Sequence, residues 1–453
     1  MKRIIGWLTL VCIAVGFASV RGQGQDEEFV VEQYNQLIPV DPDQRIWEMT
    51  EVLTEDMYYI TGRFRRQAVA IPTHKVVYVH RLLTLADDQQ GLTANLPADA
   101  SNLEGAVRAV KLSQLVSAGY WNQIVKRVSE GRFNNASKLI LYTFKTDETI
   151  NTVWPWARTE ATFYLGEQYL SEANYAKAVE CFKEILSNSP KSRFALPAAL
   201  KIGQAYIGAG EYKNADDTFN NGESSMLVAY EAGIGSANAN DRVEFRQTAE
   251  LWRMRFRAYK ALNLKAEVIS GKGDPVNALR VLRNWLETYK DQKGAEDLVT
   301  LIKLAILDVM LVTKDTAKVR EECEKEIKKW QETGDLELQK RIPFIYIRLA
   351  DAMKQIAFEN EGNLQGCIDL NLARWYYITV ATGFPEYPEL VEKSLFFSGL
   401  CFITFEDWKQ EEDNEQWAFH WGRLVKEFPK SSYVADIERL YPDRYKIITE
   451  KSK

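Results

Sequence analysis

One short pattern recurs along this chain and limits its fold more than any other feature. It reads GRFNNA at Gly131 to Ala136, ANYAKA at Ala173 to Ala178, GEYKNA at Gly210 to Ala215 and GDPVNA at Gly273 to Ala278. Each copy sets a small residue five positions before an alanine, with a ring at its third position. Self-similarity of this kind is the signature of an array of helical hairpins. The two central copies agree well beyond the turn. Leu165, Gly166, Tyr169, Ala173, Tyr175, Ala178 and Phe182 correspond to Ile202, Gly203, Tyr206, Gly210, Tyr212, Ala215 and Phe219, every pair 37 residues apart. Leu165 and Tyr169 are four apart and share one helical face. Glycine is costly in a helix interior unless a neighbour needs the room. Gly166 with Ala178 on the partner helix therefore reads as a close crossing, capped by Phe182 one turn on, and Gly203 with Ala215 reads the same way.

These residues, with Pro190 eight positions after Phe182, resemble the tetratricopeptide repeat. The match runs over Thr159 to Ser192, where Thr162 replaces the family's usual tryptophan, and over Leu196 to Ala229, where Leu227 replaces the proline. GNLQGC at Gly362 to Cys367 keeps the turn with cysteine for alanine. Gly399, Phe402, Trp421 and Pro429 sketch a last repeat, interrupted by the acidic stretch Gln410 to Gln416. The resemblance implies an all-α, right-handed superhelical solenoid of hairpins over residues 104–453, after a less regular region at 23–103. It also implies a non-catalytic scaffold that binds a peptide segment or partner protein on its concave face. The junction Pro190-Lys191-Ser192-Arg193-Phe194 returns as Pro429-Lys430-Ser431-Ser432-Tyr433. In both, proline stops one helix while lysine and serine open the next. This junction resembles bacterial envelope proteins of the outer-membrane-assembly and Tol-Pal-coordinator type.

Lys2 and Arg3 precede an apolar run from Ile4 to Val15 and the small residues Gly16, Ala18, Ser19 and Gly22. This reads as a signal peptide over residues 1–22, cut at Ala18 or Gly22, and the run is too short to span a membrane. Cys12 follows Val11 rather than a small residue, so no lipid anchor is expected. The exported chain would work in the periplasm or outside the cell, with no integral span. Its net charge of −6 over 453 residues, without a long basic tract, argues against nucleic acid as a partner. Val76 to Val79 suits a strand or the start of a helix, Asp87 to Asn102 reads as a loop, and Ser101 with Glu104 as the capping box of a helix towards Tyr120. The loop Gly233 to Asn240, closed by a second capping box at Asp241 and Glu244, is a candidate for partner contact. The charged stretch Lys318 to Lys340 reads as one solvated helix.

Catalytic, cofactor and metal sites are not expected. His74 and His80 are six apart, a spacing that aims both at one metal on neither a helix nor a strand, and His420 stands alone. Cys181, Cys323, Cys367 and Cys401 form no close pair, and Cys181 and Cys401 read as core. GKGDPV at Gly271 to Val276 begins like a dinucleotide motif but continues into the repeat turn. Two ring clusters, Trp375 with Tyr376 and Tyr377, and Trp408 with Trp417 and Trp421, leave glycan binding as the alternative function. An all-helical glycosidase, which needs two carboxylates flanking its substrate, is a more distant third. Trp417 and Trp421 lie one turn apart with Leu424 and Val425 beyond, a spacing that favours burial.

Overall fold

A computed structural model describes residues 35–41, 43–49, 51–64, 67–81, 93–97, 107–111, 120–129, 135–146, 148, 151, 156–334, 336–409 and 416–451. The signal-peptide reading, Cys12, most of the first repeat copy and most of the acidic stretch Gln410 to Gln416 lie outside them.

The N-terminal region is a β-structure. Strands β1 (Asn35–Pro39), β2 (Trp47–Met49), β3 (Glu51–Glu55), β4 (Tyr59–Phe64), β5 (Gln67–Pro72) and β6 (Val76–His80) form two antiparallel sheets, ordered β2-β1-β6 and β3-β4-β5. Leu37 pairs with both Trp47 and Val79. Leu37, Met49, Ile60, Ile71, Val76 and Val79 fill one small core, so Val76 to Val79 is a strand, as its β-branched side chains favour. Two expectations are corrected nearby. β7 (Thr93–Pro97) lies where a loop was expected and pairs with β8 (Val107–Lys111), which lies where a helix was expected. Ser101 and Glu104 themselves lie outside the described residues.

From Tyr120 the described structure is helical and packs in sequence, an all-α solenoid. α1 (Tyr120–Ser129) and α2 (Asn135–Thr146) lead into the two repeats, α3 (Ala157–Ser171) with α4 (Tyr175–Asn188) and α5 (Ala195–Gly208) with α6 (Tyr212–Asn221). Without a proline at Leu227, the second helix does not stop. It continues through a π-helical turn (Gly222–Met226) into α7 (Leu227–Gly233). Next come α8 (Arg242–Ile269), α9 (Pro275–Tyr289), α10 (Glu296–Val312) and α11 (Thr316–Thr333). Gly334, in the left-handed region, ends α11, so the charged stretch to Lys340 is two helices rather than one. α12 (Leu336–Glu359), α13 (Leu364–Gly383), α14 (Pro388–Lys409), α15 (Gln416–Glu427), α16 (Ser432–Leu440) and α17 (Pro442–Lys451) complete the array.

The turns of the two repeats close with the same pair of backbone bonds. At the first repeat Asn174 N–H reaches the Tyr169 carbonyl at 2.8 Å and Ala173 N–H the Leu170 carbonyl at 3.1 Å. At the second, Glu211 and Gly210 bond Tyr206 and Ile207 at 2.9 and 3.0 Å. This double bond needs a left-handed residue, which explains the small residue that opens the motif: φ is 56° at Ala173 and 75° at Gly210. A further turn of this kind was hidden in the sequence. In KDTAKV, Lys314 at φ 58° and Asp315 make the same two bonds to Leu311 and Met310, and fully buried Val319 takes the alanine's place.

The helix interiors show why Gly166 and Gly203 stand where they do. A Cβ at Gly166 would lie 2.7 Å from the Phe182 ring, and one at Gly203 still closer to Phe219. The ring of the second helix thus lies flat on the backbone of the first, with Ala178 and Ala215 fully buried alongside. Leu165, Ile202 and Tyr169 are buried, and Tyr206 is partly so. Gly399 repeats the device in the last hairpin, where the ring is Trp421.

Candidate functional site

The sheets rest on the helical array along the starts of α3, α5 and α8, and the contact centres on four charged side chains. Glu55 ends β3, Arg81 follows β6, Glu160 lies in the first turn of α3, and Arg193 sits in the Pro-Lys-Ser junction before α5. Arg193 reaches Glu55 at 3.1 Å and Glu160 at 3.1 Å, while Arg81 reaches Glu160 at 2.8 Å and pairs with Glu55. Arg81 also stacks on Trp156 at 4.1 Å and Arg193 on Phe194 at 4.4 Å. Burial raises the Glu55 carboxyl, but attraction and hydrogen bonds from Arg81 and Arg193 outweigh it and hold its pKa below the ordinary 4.5.

A group whose folded pKa is depressed stabilises fully above its unfolded value and loses that contribution as pH falls through the folded one. Acidification below about pH 4.5 is therefore expected to loosen the sheets before the helices, as loss of hydrogen-exchange protection in β1 to β6 at a pH where the hairpins stay protected. Simultaneous loss in both regions would show that Glu55 does not govern the docking.

The loop expected to meet a partner is used within the chain. Gly233 lies against Tyr58, whose hydroxyl donates to the Tyr230 carbonyl. The Tyr59 hydroxyl accepts from Asn238 N–H at 3.1 Å and donates to Asp241 at 2.8 Å. Asp241 consequently caps nothing with its side chain, and Glu244 pairs with Lys75 at 2.6 Å. The second capping box is thus not formed, because both carboxylates are engaged by the sheets. His74 lies 3.5 Å from Glu244 and edge-on to Phe245, while His80 pairs through its backbone with Gln36 in the ladder.

Between the sheets and the first helices lies a cavity of about 530 Å³. Phe163, Tyr164 and Glu167 of α3, Phe194 before α5, and Trp252 and Arg255 of α8 line one side; Met57, His74 and Val76 line the other. Glu167 is held by Lys201 at 3.0 Å. Arg255 stacks on Trp252 at 4.8 Å, and burial pulls its pKa down against weaker pulls from Tyr259 and Asp297. A second hollow of about 570 Å³ lies between α9 and α12, with Leu304, Leu307, Met310 and Ile345 in its wall and the Lys303–Glu326 pair, 3.3 Å apart, beside it.

The two junction echoes part company here. Ser431 caps α16 by accepting from Tyr433 N–H at 3.3 Å, whereas Ser192 caps no helix and its buried hydroxyl makes no hydrogen bond. Pro190 ends its repeat beside another hollow that Arg193 and Glu160 also line. The charged cluster itself was missed by sequence reading, although Arg193 stands where the second junction has Ser432, and that difference was the available signal.

Of the two ring clusters, Trp417, Trp421 and Tyr377 are fully buried, Tyr376 and Trp408 are partly so, and Trp375 is exposed. All four cysteines of the helical region are buried and unpaired. Among the described residues no group of histidine, cysteine or carboxylate side chains could hold a metal, and no helix is long and apolar enough to cross a membrane.

A family model described as tetratricopeptide repeat matches residues 160–192, the α3/α4 hairpin. No curated protein matches the chain. The helical array therefore carries a tetratricopeptide repeat, a module that points to a protein-interaction scaffold.

Proposed function

We propose, from the tetratricopeptide repeat at residues 160–192, that the protein is a non-catalytic scaffold that seats a peptide segment or partner protein on the face formed by its first helices. The observation that supports it most is a contact within the chain. The β3–β4 turn, between Glu55 and Tyr59, already binds the repeat edge through Met57 N–H to the Lys191 carbonyl at 2.9 Å, the buried charges, and the two tyrosine hydroxyls. A surface that holds a turn of chain by a backbone bond and side-chain anchors suits polypeptide.

The cell envelope is the proposed setting, on the strength of Lys2, Arg3 and the apolar run Ile4 to Val15. Export predicts a mature N-terminus after Ala18 or Gly22; an intact-mass measurement that retains Met1 to Gly22 on protein recovered from cells would sink that part. Mild cross-linking in envelope extract followed by mass spectrometry tests the scaffold: one discrete protein recovered in stoichiometric yield supports it, and none refutes it. The glycan alternative rests on exposed Trp375, and retention on a polysaccharide column lost in Trp375→Ala would favour it.

A further inference from the structure

We propose that the cavity between the sheets and α3, α5 and α8 seats an acidic side chain of an extended peptide, with Arg255, Ser192 and Tyr230 as the groups that take its carboxylate. This rests on the scaffold reading and adds the chemistry of the ligand. Three polar groups that line this cavity are without partners: the buried Ser192 and Tyr230 hydroxyls make no hydrogen bond, and among the described residues no carboxylate lies within ion-pair distance of Arg255. Other arginines of the same helix are matched. Arg253 holds Glu231 and Glu250, and Arg257 holds Glu223. The remaining charges on the wall are spent as well, Arg193 on Glu55 and Glu160, Glu167 on Lys201, and His74 on Glu244.

A cavity lined by an unspent guanidinium and two unpartnered hydroxyl donors is a site for an anion, since buried donors without an acceptor are costly. Burial lowers the Arg255 pKa, and the weaker pulls from Tyr259 and Asp297 do not offset it. The apolar walls of Phe163, Phe194 and Trp252, and a volume of about 530 Å³, are larger than a lone carboxylate needs and suit a side chain carried on a peptide. The β3–β4 turn already lies at the rim, where Met57 N–H bonds the Lys191 carbonyl.

Two pools of fluorescein-labelled nonapeptides of glycine, serine, leucine and phenylalanine, one with glutamate at the centre and one with glutamine, test this by anisotropy on the full chain. The glutamate pool is expected to bind about tenfold tighter, the scale of one hydrogen bond to a charged group. Arg255→Gln should abolish the preference, and Ser192→Ala and Tyr230→Phe should each reduce it. Should Arg255→Gln melt early, the two hydroxyl variants carry the test. Equal binding of both pools, no binding of either, or a preference intact in all three variants overturns the proposal. The scaffold reading fails separately: a cross-linked partner held equally by wild type and Arg255→Gln removes this cavity as the seat, whereas no partner at all removes the scaffold.

Discussion

Arg193→Met is expected to cost about 3–5 kcal/mol and to detach the sheets from the array, the largest effect of any single substitution considered. The reason is asymmetry. Glu55 and Glu160 are 12% and 1% exposed in their side chains, and each faces both arginines. Taking one arginine away leaves two buried carboxylates to share Arg81, and an uncompensated buried charge is far costlier than the net worth of the pair that held it. Replacing all four charged residues with apolar ones of similar size should be near neutral, which separates the two accounts. Denaturant midpoints together with limited proteolysis provide the reading. Cleavage confined to residues 35–81, with the hairpins intact, is the expected outcome; an unchanged midpoint and digestion pattern would show that the cluster does not hold the regions together.

Gly203→Ala should destabilise by about 1–3 kcal/mol, although helix propensity alone argues for the opposite sign. Alanine is favoured over glycine in an exposed helix by about 1 kcal/mol, but here the added methyl would lie inside the van der Waals surface of the Phe219 ring. That ring is 1% exposed and backed by Tyr259 at 6.2 Å, so it has little room to retreat. Ala215→Leu overpacks the neighbouring helix and should lose a similar amount. Adding Phe219→Leu to Gly203→Ala should recover part of the loss relative to the sum of the two single changes. A melting temperature for Gly203→Ala at or above wild type would mean that the ring moves freely, and the close approach would then not explain the glycine.

Several elements were legible because their cause is local. The small residue at Ala173 and Gly210 is demanded by one left-handed turn position, and the ring at Phe182 and Phe219 by a glycine one helix earlier, so both repeat at a fixed offset. Lys314 escaped notice because a lysine can adopt the same backbone angle, and Val319 can fill the alanine's place, without leaving the pattern's letters. The capping box at Asp241 misled for the opposite reason. A capping box is read from residues three apart, and there a strand from far away in the sequence took over, Tyr59 engaging Asp241.

The chain's own order of residues decided the hairpins, their turns and the glycine-ring crossings, because each depends on contacts within about forty positions, which a period exposes. Where the N-terminal strands sit, which charges meet in the interior, and which donors are left over beside Arg255 were decided only in three dimensions. Glu55 meets Arg193, and Ser192 lines one cavity with Arg255, only once a sheet and an array with no common periodicity come together. No spacing in the sequence records such a meeting.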